Sequence, residues 1–394
     1  MKNNRRNFIK KSTALAAFSV AGLAACTQSD SRENSNSNAV NTSQTRNKQD
    51  VEWPPKLGEN TPKLTVGISR NASASEMRQI KQIGADYVLM GGPPIPWTEQ
   101  SLREIMDRFK AEGLTVNNMM IGGHPHTIYG REGRDQEIQQ IQDSIRAAGV
   151  VGLPVVEYNF YAHRLLAGYY EIKARGGAGT TGFDYELGKD LPIDPERGTA
   201  QTSEMLWDNL TYFLKAVIPV AEQSGVRMAL HPNDPPIPVS HGHAQIMATF
   251  NDWKRLIEIV DSPSNGMTYD CGVSKEIGED PLKVLNYLGT RDRINHMHYR
   301  NVTVDEPYVK YQEVFFDEGQ VNMFAVMQEV FNLGYKFGLY PEHPRALDYD
   351  KEHPEGIKNM YPGGGGYAAM AYNVAYTKAM MQAVVSLEGG KVSV

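Results

Sequence analysis

The sequence predicts a single (β/α)8 barrel, and three observations indicate this fold. Short apolar segments alternate with amphipathic segments along the chain, which is the pattern of parallel strands covered by helices. Eight such apolar segments can be counted, and this number favours closure into a barrel over an open doubly wound sheet. No Gly-x-Gly-x-x-Gly motif follows the first strand, which argues against a dinucleotide-binding fold. We therefore expect residues 61–394 to form one barrel domain.

The strands and helices can be assigned in chain order. The eight predicted strands are Leu64–Ile68, Asp86–Met90, Thr115–Ile121, Leu153–Phe160, Val226–Leu230, Asn265–Asp270, Arg293–His298 and Lys336–Pro341. The first helix is predicted to begin with Ser75 as N-cap and Glu76 in its first turn. The later helices are predicted at Thr98–Glu112, Asp135–Ala148, Ser203–Ser224, Phe250–Val260, Pro281–Leu288, Asn322–Leu333 and Tyr367–Ala383. A long glycine-rich excursion separates the fourth strand from the helix at Ser203.

The N-terminal residues are predicted to direct export and to form a linker. Arg5 and Arg6 precede an apolar stretch, Ala14 to Ala25, that is too short to span a bilayer, as in a bacterial twin-arginine signal. The stretch ends in Leu-Ala-Ala-Cys, which resembles a lipobox with Cys26 as the lipidated residue; an ordinary cleaved signal is the alternative. Residues 27–60 are mostly polar and predict a disordered linker. The expected location is the bacterial cell envelope, in the periplasm or anchored to the outer membrane.

The net charge and the cysteine content limit the partners and the cross-links that we expect. The net charge of −6, with no Lys- or Arg-rich stripe after the signal, argues against nucleic acid as a partner. Any membrane contact is expected only through the lipid on Cys26. Once Cys26 is acylated, Cys271 is the one remaining cysteine, so no intramolecular disulfide can form. The expected partner is a small sugar or sugar acid. The sequence is also compatible with a homo-oligomer.

Four residues at strand ends form a candidate metal site. His231, Asp270, His298 and Glu342 each fall at or just past the end of an apolar segment. In a (β/α)8 barrel the C-terminal ends of the strands deliver side chains to one point. A lone histidine there is more often structural, but four metal-competent groups in succession favour a site. Two imidazoles and two carboxylates suit a divalent ion such as Mn²⁺. His296 lies two residues before His298 and is expected one layer deeper in the barrel.

Other polar side chains at strand ends are candidates for substrate binding. The candidates are Arg300, Asn301, Arg345, His126, Lys173 and Arg175. Arginine can hold the carboxylate of a sugar acid with two parallel hydrogen bonds. For Lys173 and Arg175, which lie in the excursion after the fourth strand, solvated surface charges are an equally good explanation.

Several stretches resemble the mannonate dehydratase family. The matching stretches are HPNDPPIP (His231–Pro238), DSPSNGMT (Asp261–Thr268), HMHYRNV (His296–Val302) and PEHPR (Pro341–Arg345), followed by a glycine-rich turn and Tyr367. The resemblance implies a barrel related to xylose isomerase-type enzymes and a divalent metal, usually manganese, with Mg²⁺, Fe²⁺ or Co²⁺ as alternatives. It also implies a hydro-lyase that converts D-mannonate to 2-keto-3-deoxy-D-gluconate.

The sequence departs from the family pattern at three places. Asp270 occupies the position of a metal-binding cysteine, and Glu342 replaces an aspartate. The Asp-Trp-x-Arg-Thr substrate segment of the family is missing. These departures leave open an exported sugar isomerase/epimerase or a keto-sugar lyase. A lipid-anchored sugar-binding protein is the non-catalytic alternative, but that class usually has two lobes.

The residues also suggest a mechanism. Dehydration requires a base for the proton next to the carboxylate and an acid for the leaving hydroxyl. His343 and Tyr367 are the candidates for these two proton transfers, since both are close in sequence to the metal cluster. Arg300 and Arg345 would hold the carboxylate of the substrate.

Overall fold

The structure is a computed structural model that describes residues 54–193, 198–355 and 361–387. Its strands are β1 (Lys63–Gly67), β2 (Tyr87–Gly91), β3 (Thr115–Ile121), β4 (Val155–Tyr158), β5 (Tyr169–Lys173), β6 (Gly179–Asp184), β7 (Arg227–Leu230), β8 (Val239–Ser240), β9 (His243–Ala244), β10 (Asn265–Asp270), β11 (Ile294–His298), β12 (Asn301–Glu306), β13 (Lys310–Val314) and β14 (Gly338–Tyr340). Eight of them close into a parallel barrel in the order β1-β14-β11-β10-β7-β4-β3-β2. The predicted barrel and its eight strands are confirmed.

Helices cover the outside of the barrel. They are α1 (Ala74–Gln82), α2 (Glu99–Ala111), α3 (Pro125–Tyr129), α4 (Arg134–Val151), α5 (Ser203–Ser224), α6 (Phe250–Ile259), α7 (Cys271–Glu276), α8 (Pro281–Gly289), α9 (Met323–Asn332), α10 (Asp348–Glu352) and α11 (Tyr367–Leu387). Each long helix buries one apolar face; in α5, Leu210, Phe213 and Val217 are fully buried. Burial of one such side chain stabilises the fold by about 1.5–3 kcal/mol. The short helices α3, α7 and α10 were not predicted.

The beginning of α1 corrects one prediction. Ser73, not Ser75, is the N-cap, and its hydroxyl accepts from the backbone N–H of Glu76. The Glu76 carboxylate in turn accepts from the backbone N–H of Ser73 at 2.8 Å, which completes a capping box. The Ser-x-x-Glu spacing that this motif requires is met by Ser73 and cannot be met by Ser75.

The lower barrel interior contains a polar layer. Asn118 donates to the Glu157 carboxylate at 2.9 Å, and Thr268 donates to the same carboxylate at 2.7 Å. Asn117 donates to the hydroxyl of Thr65 at 2.8 Å. Because buried polar groups are costly without partners, these hydrogen bonds allow Glu157 to sit inside the barrel.

A second sheet stands beside the mouth of the barrel. It is antiparallel, in the order β12-β13-β6-β5, and it joins the excursion after β4 to the segment after β11. Tyr169, Phe183 and Tyr311 pack in its small apolar cluster. The excursion was predicted only as a glycine-rich connection, so this sheet is an addition to the predicted fold.

Some predictions concern residues that the structure does not describe. The twin-arginine signal, Cys26 and residues 27–53 of the predicted linker lie outside the described residues. Among the described residues, no helix combines the length and apolar character needed to cross a bilayer. Cys271 is buried with a free thiol, and burial raises the pKa of this thiol to about 12.

Candidate metal centre and active site

The four predicted metal ligands come together at the mouth of the barrel. His231 directly follows β7, and Glu342 is the second residue after β14. Asp270 and His298 are the last residues of β10 and β11. These four strands are consecutive neighbours in the barrel. One donor atom from each of the four residues lies within 4.8 Å of all the others. The barrel geometry thus produces the convergence that the strand ends predicted.

The separations between donor atoms fit a single ion. His298 Nδ1 lies 2.9 Å from Glu342 Oε2, 3.1 Å from His231 Nε2 and 3.8 Å from Asp270 Oδ2. Ligands bound to one ion at about 2.1 Å, at roughly right angles, would be about 3 Å apart. Two imidazoles and two carboxylates are also a donor set that a divalent ion accepts. The residues present therefore fit a divalent metal.

The charges of the cluster also suit a cation. Burial, reinforced by His298, lowers the pKa of His231, so this imidazole is neutral and can act as a ligand. Burial would raise the pKa of Glu342, but His298 and His343 outweigh it and hold that pKa well below its usual range. Burial would lower the pKa of His298, but the neighbouring Glu342 outweighs burial and raises this pKa. A cation that binds here would take the place of the proton on His298.

Asp270 is held in place by two donors. One of its oxygens accepts from the backbone N–H of Val273 at 2.8 Å, at the beginning of α7. The other accepts from Nε of Arg300 at 2.9 Å. Fixed orientation of a ligand by such outer contacts increases metal affinity.

Arg300 does not reach the substrate pocket, so its predicted role is corrected. Its side chain is only 1% exposed. In addition to Asp270, it donates to Glu276 at 2.7 Å and lies 3.5 Å from an oxygen of Asp234. Because its donors already face buried carboxylates, Arg300 neutralises the interior and does not hold a ligand.

Arg345 and Asn301 are also structural in this arrangement. Arg345 is buried, donates to the backbone carbonyl of His343 at 2.7 Å and pairs with Glu313 at 2.9 Å. The Asn301 amide donates to the carbonyl of Phe316 at 2.8 Å and, with its oxygen, accepts from a backbone N–H. Neither residue lines the metal pocket, so the substrate-binding prediction is corrected for both.

The three remaining residues predicted to bind substrate lie on the surface, and none of them lines the metal pocket. His126 is exposed on α3, where Nδ1 lies 2.5 Å from the carbonyl of Glu132. Lys173 is 67% exposed and pairs with Glu171 at the end of β5. Arg175 pairs with Asp317 at 2.6 Å. For Lys173 and Arg175 the alternative of solvated surface charge applies, because the excursion folds outward as a hairpin.

Tyr367 points away from the cluster, and Tyr361 stands in its place. The Tyr367 hydroxyl donates to the carbonyl of Gln79 on α1, in the outer ring of helices, at 3.3 Å. Tyr361 instead lines the metal pocket and packs on His343, with ring centroids 5.0 Å apart. A glycine-rich segment lies between the pocket residue Tyr361 and the helix residue Tyr367. The sequence alone does not show which of the two tyrosines faces the pocket.

His343 lies directly behind the metal ligands. Its Nε2 is 3.1 Å from Glu342, and its Nδ1 is 2.7 Å from Glu313 of β13. Burial lowers the pKa of His343, but the two carboxylates outweigh this effect and raise it to about 10. His343 is therefore protonated at neutral pH and held at both ring nitrogens.

The pocket next to the cluster has a volume of about 300 Å³. Three of the four ligands, His231, His298 and Glu342, line it, together with Arg164, Asp234 and Tyr361. Arg164 donates to the Tyr361 hydroxyl at 2.5 Å and to the backbone carbonyl of Asp234 at 2.7 Å. Among the lysine and arginine side chains that the structure describes, Arg164 is the one that lines this pocket.

Sequence reasoning did not assign Glu157 a role. Its carboxylate lies 3.7 Å from Nε2 of His298, on the side opposite the other ligands. Burial raises its pKa, but His296, His298 and His231 outweigh burial and lower it. One charged residue inside the apolar segment LPVVEYNF was the signal that marked it. As expected, His296 lies beside Glu157 beneath the cluster.

Comparisons with known proteins point to one family. A family model described as D-mannonate dehydratase (UxuA) matches residues 196–388. The mannonate dehydratase of Streptococcus suis is 30% identical over 285 residues, which cover 66% of this chain and 78% of that protein. Mannonate dehydratase 2 of Halalkalibacterium halodurans is 25% identical over 315 residues, 74% of this chain and 88% of that protein.

Solved structures show the same architecture. The crystal structure of mannonate dehydratase from Streptococcus suis serotype 2 superimposes with a TM-score of 0.74 at 27% identity, covering 83% of this chain and 96% of that one. A xylose isomerase domain protein from Planctomyces limnophilus, at 14% identity and a TM-score of 0.52, shares the fold. Fold and site together define a (β/α)8 barrel with a candidate metal centre. Within that class, the chain belongs to the D-mannonate dehydratase family.

Replacement of Asp270 should abolish tight metal binding. In Asp270→Ala, one donor is lost and the net charge around the site becomes more positive by one, so Mn²⁺ affinity should fall about 100-fold or more. Calorimetric titration with Mn²⁺ of the full-length protein, after a chelator has removed bound metal, measures this change. Asp305→Ala, which removes an exposed carboxylate on β12, is the matched control and should bind Mn²⁺ normally. Equal affinity in the two variants would contradict the assignment of Asp270 as a ligand.

Proposed function

We propose that this chain dehydrates D-mannonate to 2-keto-3-deoxy-D-gluconate, as a hydro-lyase. The observation that carries the proposal is the cluster of His231, Asp270, His298 and Glu342 at the mouth of a mannonate dehydratase-family barrel. The family resemblance favours this reaction over isomerisation, epimerisation or cleavage of a keto sugar, because the curated relatives found are named mannonate dehydratases.

The proposed cofactor is Mn²⁺, held by these four side chains. Two carboxylates in the set favour a harder ion than an all-histidine or cysteine set would, and Mg²⁺, Fe²⁺ and Co²⁺ are the alternatives. When bound, the ion supplies positive charge that stabilises the negative charge developing on the substrate as the α proton leaves.

Arg164 is proposed to hold the carboxylate of the substrate. Its guanidinium lines the pocket and is fixed by Tyr361 and by the backbone carbonyl of Asp234. The side chain of Asp234 lies 3.8 Å away, and its acceptor capacity is shared with Tyr169, which donates to it at 2.7 Å. Arg164 is therefore oriented before substrate arrives, as specific recognition of a carboxylate requires.

The two proton transfers are proposed for His343 and Tyr361. His343 carries a proton, because Glu313 and Glu342 stabilise its charged form, and it is assigned as the source of the proton for the leaving hydroxyl, passed through Glu342, which lines the pocket 3.1 Å from His343 Nε2. Burial raises the pKa of Tyr361 to about 12, while Arg164 acts in the opposite direction and stabilises the phenolate. A neutral phenol cannot accept a proton, so Tyr361 is assigned as the acceptor of the α proton in its phenolate form, which Arg164 stabilises at 2.5 Å, in the place that Tyr367 was predicted to hold.

Turnover of D-mannonate tests this function. After chelation and restoration of Mn²⁺, the full-length protein should form the 2-keto-3-deoxy acid, measured by a colorimetric assay for such acids. Tyr361→Phe should lower kcat by about 10²–10⁴-fold, since it removes a proton-transfer group. Tyr367→Phe, the matched control, removes only a hydrogen bond to α1 and should remain active.

Two results would contradict the proposal in different ways. Absence of turnover in a protein that binds Mn²⁺ would exclude D-mannonate as the substrate. Full activity of Tyr361→Phe together with an inactive Tyr367→Phe would reverse the assignment of the tyrosines.

We also propose that the protein is exported and anchored through a lipid on Cys26. Support comes from Arg5 and Arg6 ahead of a short apolar stretch that ends in Leu-Ala-Ala-Cys. In a bacterial host, Cys26→Ser should move the protein from the membrane fraction to a soluble exported fraction, because the acyl anchor is lost. Thr27→Ser, which leaves the cysteine intact, is the control. Cys26→Ser protein that remained with the membranes would contradict the anchor.

A further inference from the structure

His298 directs only one of its two ring nitrogens at the candidate metal centre. Its Nδ1 faces the other three ligands, Glu342 at 2.9 Å, His231 at 3.1 Å and Asp270 at 3.8 Å. Its Nε2 is on the opposite side of the ring, buried, and without a hydrogen-bond partner among the described residues. Buried polar atoms without a partner are rare in folded proteins. The surroundings of this nitrogen therefore indicate what it does when Nδ1 is a ligand.

Glu157 is the residue that faces Nε2 of His298. It reaches across the barrel interior from β4, a strand that is not a neighbour of β11, on which His298 lies. The Oε1 atom of Glu157 is 3.7 Å from His298 Nε2, and both side chains are buried. A shift of about 1 Å brings an imidazole N–H and a carboxylate at this separation into a hydrogen bond. Glu157 is therefore placed to accept a proton-bearing Nε2.

The carboxylate of Glu157 is itself held in one orientation. Thr268 donates to Oε1 at 2.7 Å, and Asn118 donates to Oε2 at 2.9 Å. A carboxylate can accept about four hydrogen bonds, so Oε1 keeps acceptor capacity for a further donor. In the register of the barrel, Glu157 lies beside Ala229 of β7, whose short side chain leaves room for the longer one. The interior is thus built to hold an acceptor at this point.

The plane of the His298 ring is fixed by two other rings. His296 meets it edge to face with ring centroids 5.2 Å apart, and Tyr340 does the same at 5.4 Å. His296 can take this place because Gly338 has no side chain, since a Cβ there would lie 3.0 Å from the His296 ring. These contacts keep Nδ1 directed at the other ligands and Nε2 directed at Glu157.

We propose that Glu157 is a positioning residue that holds the proton of neutral His298 on Nε2. A neutral imidazole has one N–H and one lone pair, and the nitrogen that carries the proton cannot bind a metal ion. Without an acceptor at Nε2, the Glu342 carboxylate, 2.9 Å from Nδ1, would favour the proton on Nδ1. Glu157 is the competing acceptor, so the lone pair of Nδ1 stays available. The inference rests on the metal site of the proposed function and not on its reaction.

Mn²⁺ binding by the full-length protein tests this role with the variant Glu157→Gln. The amide is close in size to the carboxylate, but it carries no charge and is a weaker acceptor for the proton on Nε2. The affinity for Mn²⁺, measured by calorimetric titration after a chelator has removed bound metal, should fall about 10–100-fold. Circular dichroism of the metal-free variant should show the wild-type fold.

Two threonine variants form a second test with its matched control, and they decide the role if Glu157→Gln does not fold. Thr268→Val keeps Glu157 but removes the hydroxyl that orients Oε1, and it should lower Mn²⁺ affinity about 2–10-fold. Thr65→Val makes the same change to another buried threonine of the interior, which contacts Asn117 and not Glu157. It should bind Mn²⁺ as the wild type does. An equal loss of affinity in both variants would overturn the inference.

Pulsed EPR of bound Mn²⁺ distinguishes positioning from a general effect of charge. The wild type should show hyperfine coupling to two histidine nitrogens, one from His231 and one from His298. At saturating Mn²⁺, Glu157→Gln should weaken or lose one of these two couplings. A lower affinity with both couplings unchanged would mean that Glu157 acts through its charge alone, and it would overturn the positioning role.

The outcomes also separate this inference from the proposed function. Wild-type protein that binds no divalent ion would overturn the metal site and the inference together. Tight Mn²⁺ binding by the wild type with equal affinity in Glu157→Gln would overturn the inference alone. Tight binding without turnover of D-mannonate would exclude the proposed substrate, and the affinity and couplings of Glu157→Gln would still decide the role of Glu157.

Discussion

Arg300 is the buried positive charge on which the active site depends. Its guanidinium lies within 4.0 Å of carboxylate oxygens from five acidic residues: Asp234, Asp270, Glu276, Glu313 and Glu342. Carboxylates buried together without a cation would take up protons, because desolvation and mutual repulsion raise their pKa values. Burial opposes the charge on Arg300, but these acids outweigh it and raise its pKa well above the usual range. Asp234 and Glu342 can therefore stay ionised, while burial raises the pKa of Glu276 above its usual range.

The second sheet supplies charged and polar partners to residues next to the metal ligands. Glu313 on β13 contacts both His343 and Arg345, and Tyr169 on β5 donates to Asp234. Without this sheet the barrel would still bring the four ligands together, but His343 would lose the carboxylate that holds its Nδ1. The connections after β1, β2 and β3 are shorter than the excursion after β4, and the mouth stays open on their side. The second sheet therefore covers one side of the mouth and leaves the other side open.

The barrel and the metal cluster could be predicted because both depend on local pattern. Apolar segments define the strands, and a polar residue at the end of each strand points to the same mouth. The role of Arg300 could not be predicted, since a position after a strand does not show that Asp234 and Glu276 already match its charge. The prediction for Tyr367 was wrong for a related reason. The helix α11 begins at this residue and directs its phenol to α1. The strand β5 was missed although YYEIK shows some alternation, because the sheet that holds it forms only when its partner β6 also pairs with the distant segment at β13.

The location of a bound ion tests the account most directly. We expect crystals of the full-length protein soaked with Mn²⁺ to show one strong anomalous peak, within bonding distance of His231, Asp270, His298 and Glu342. Two other groups of buried residues could compete for an ion, Glu157 with His296 and His298, and Asp234 with Glu313 and His343. A peak at either of those groups, or no peak at the four predicted ligands, would contradict the central claim that the strand ends of β7, β10, β11 and β14 form the metal site.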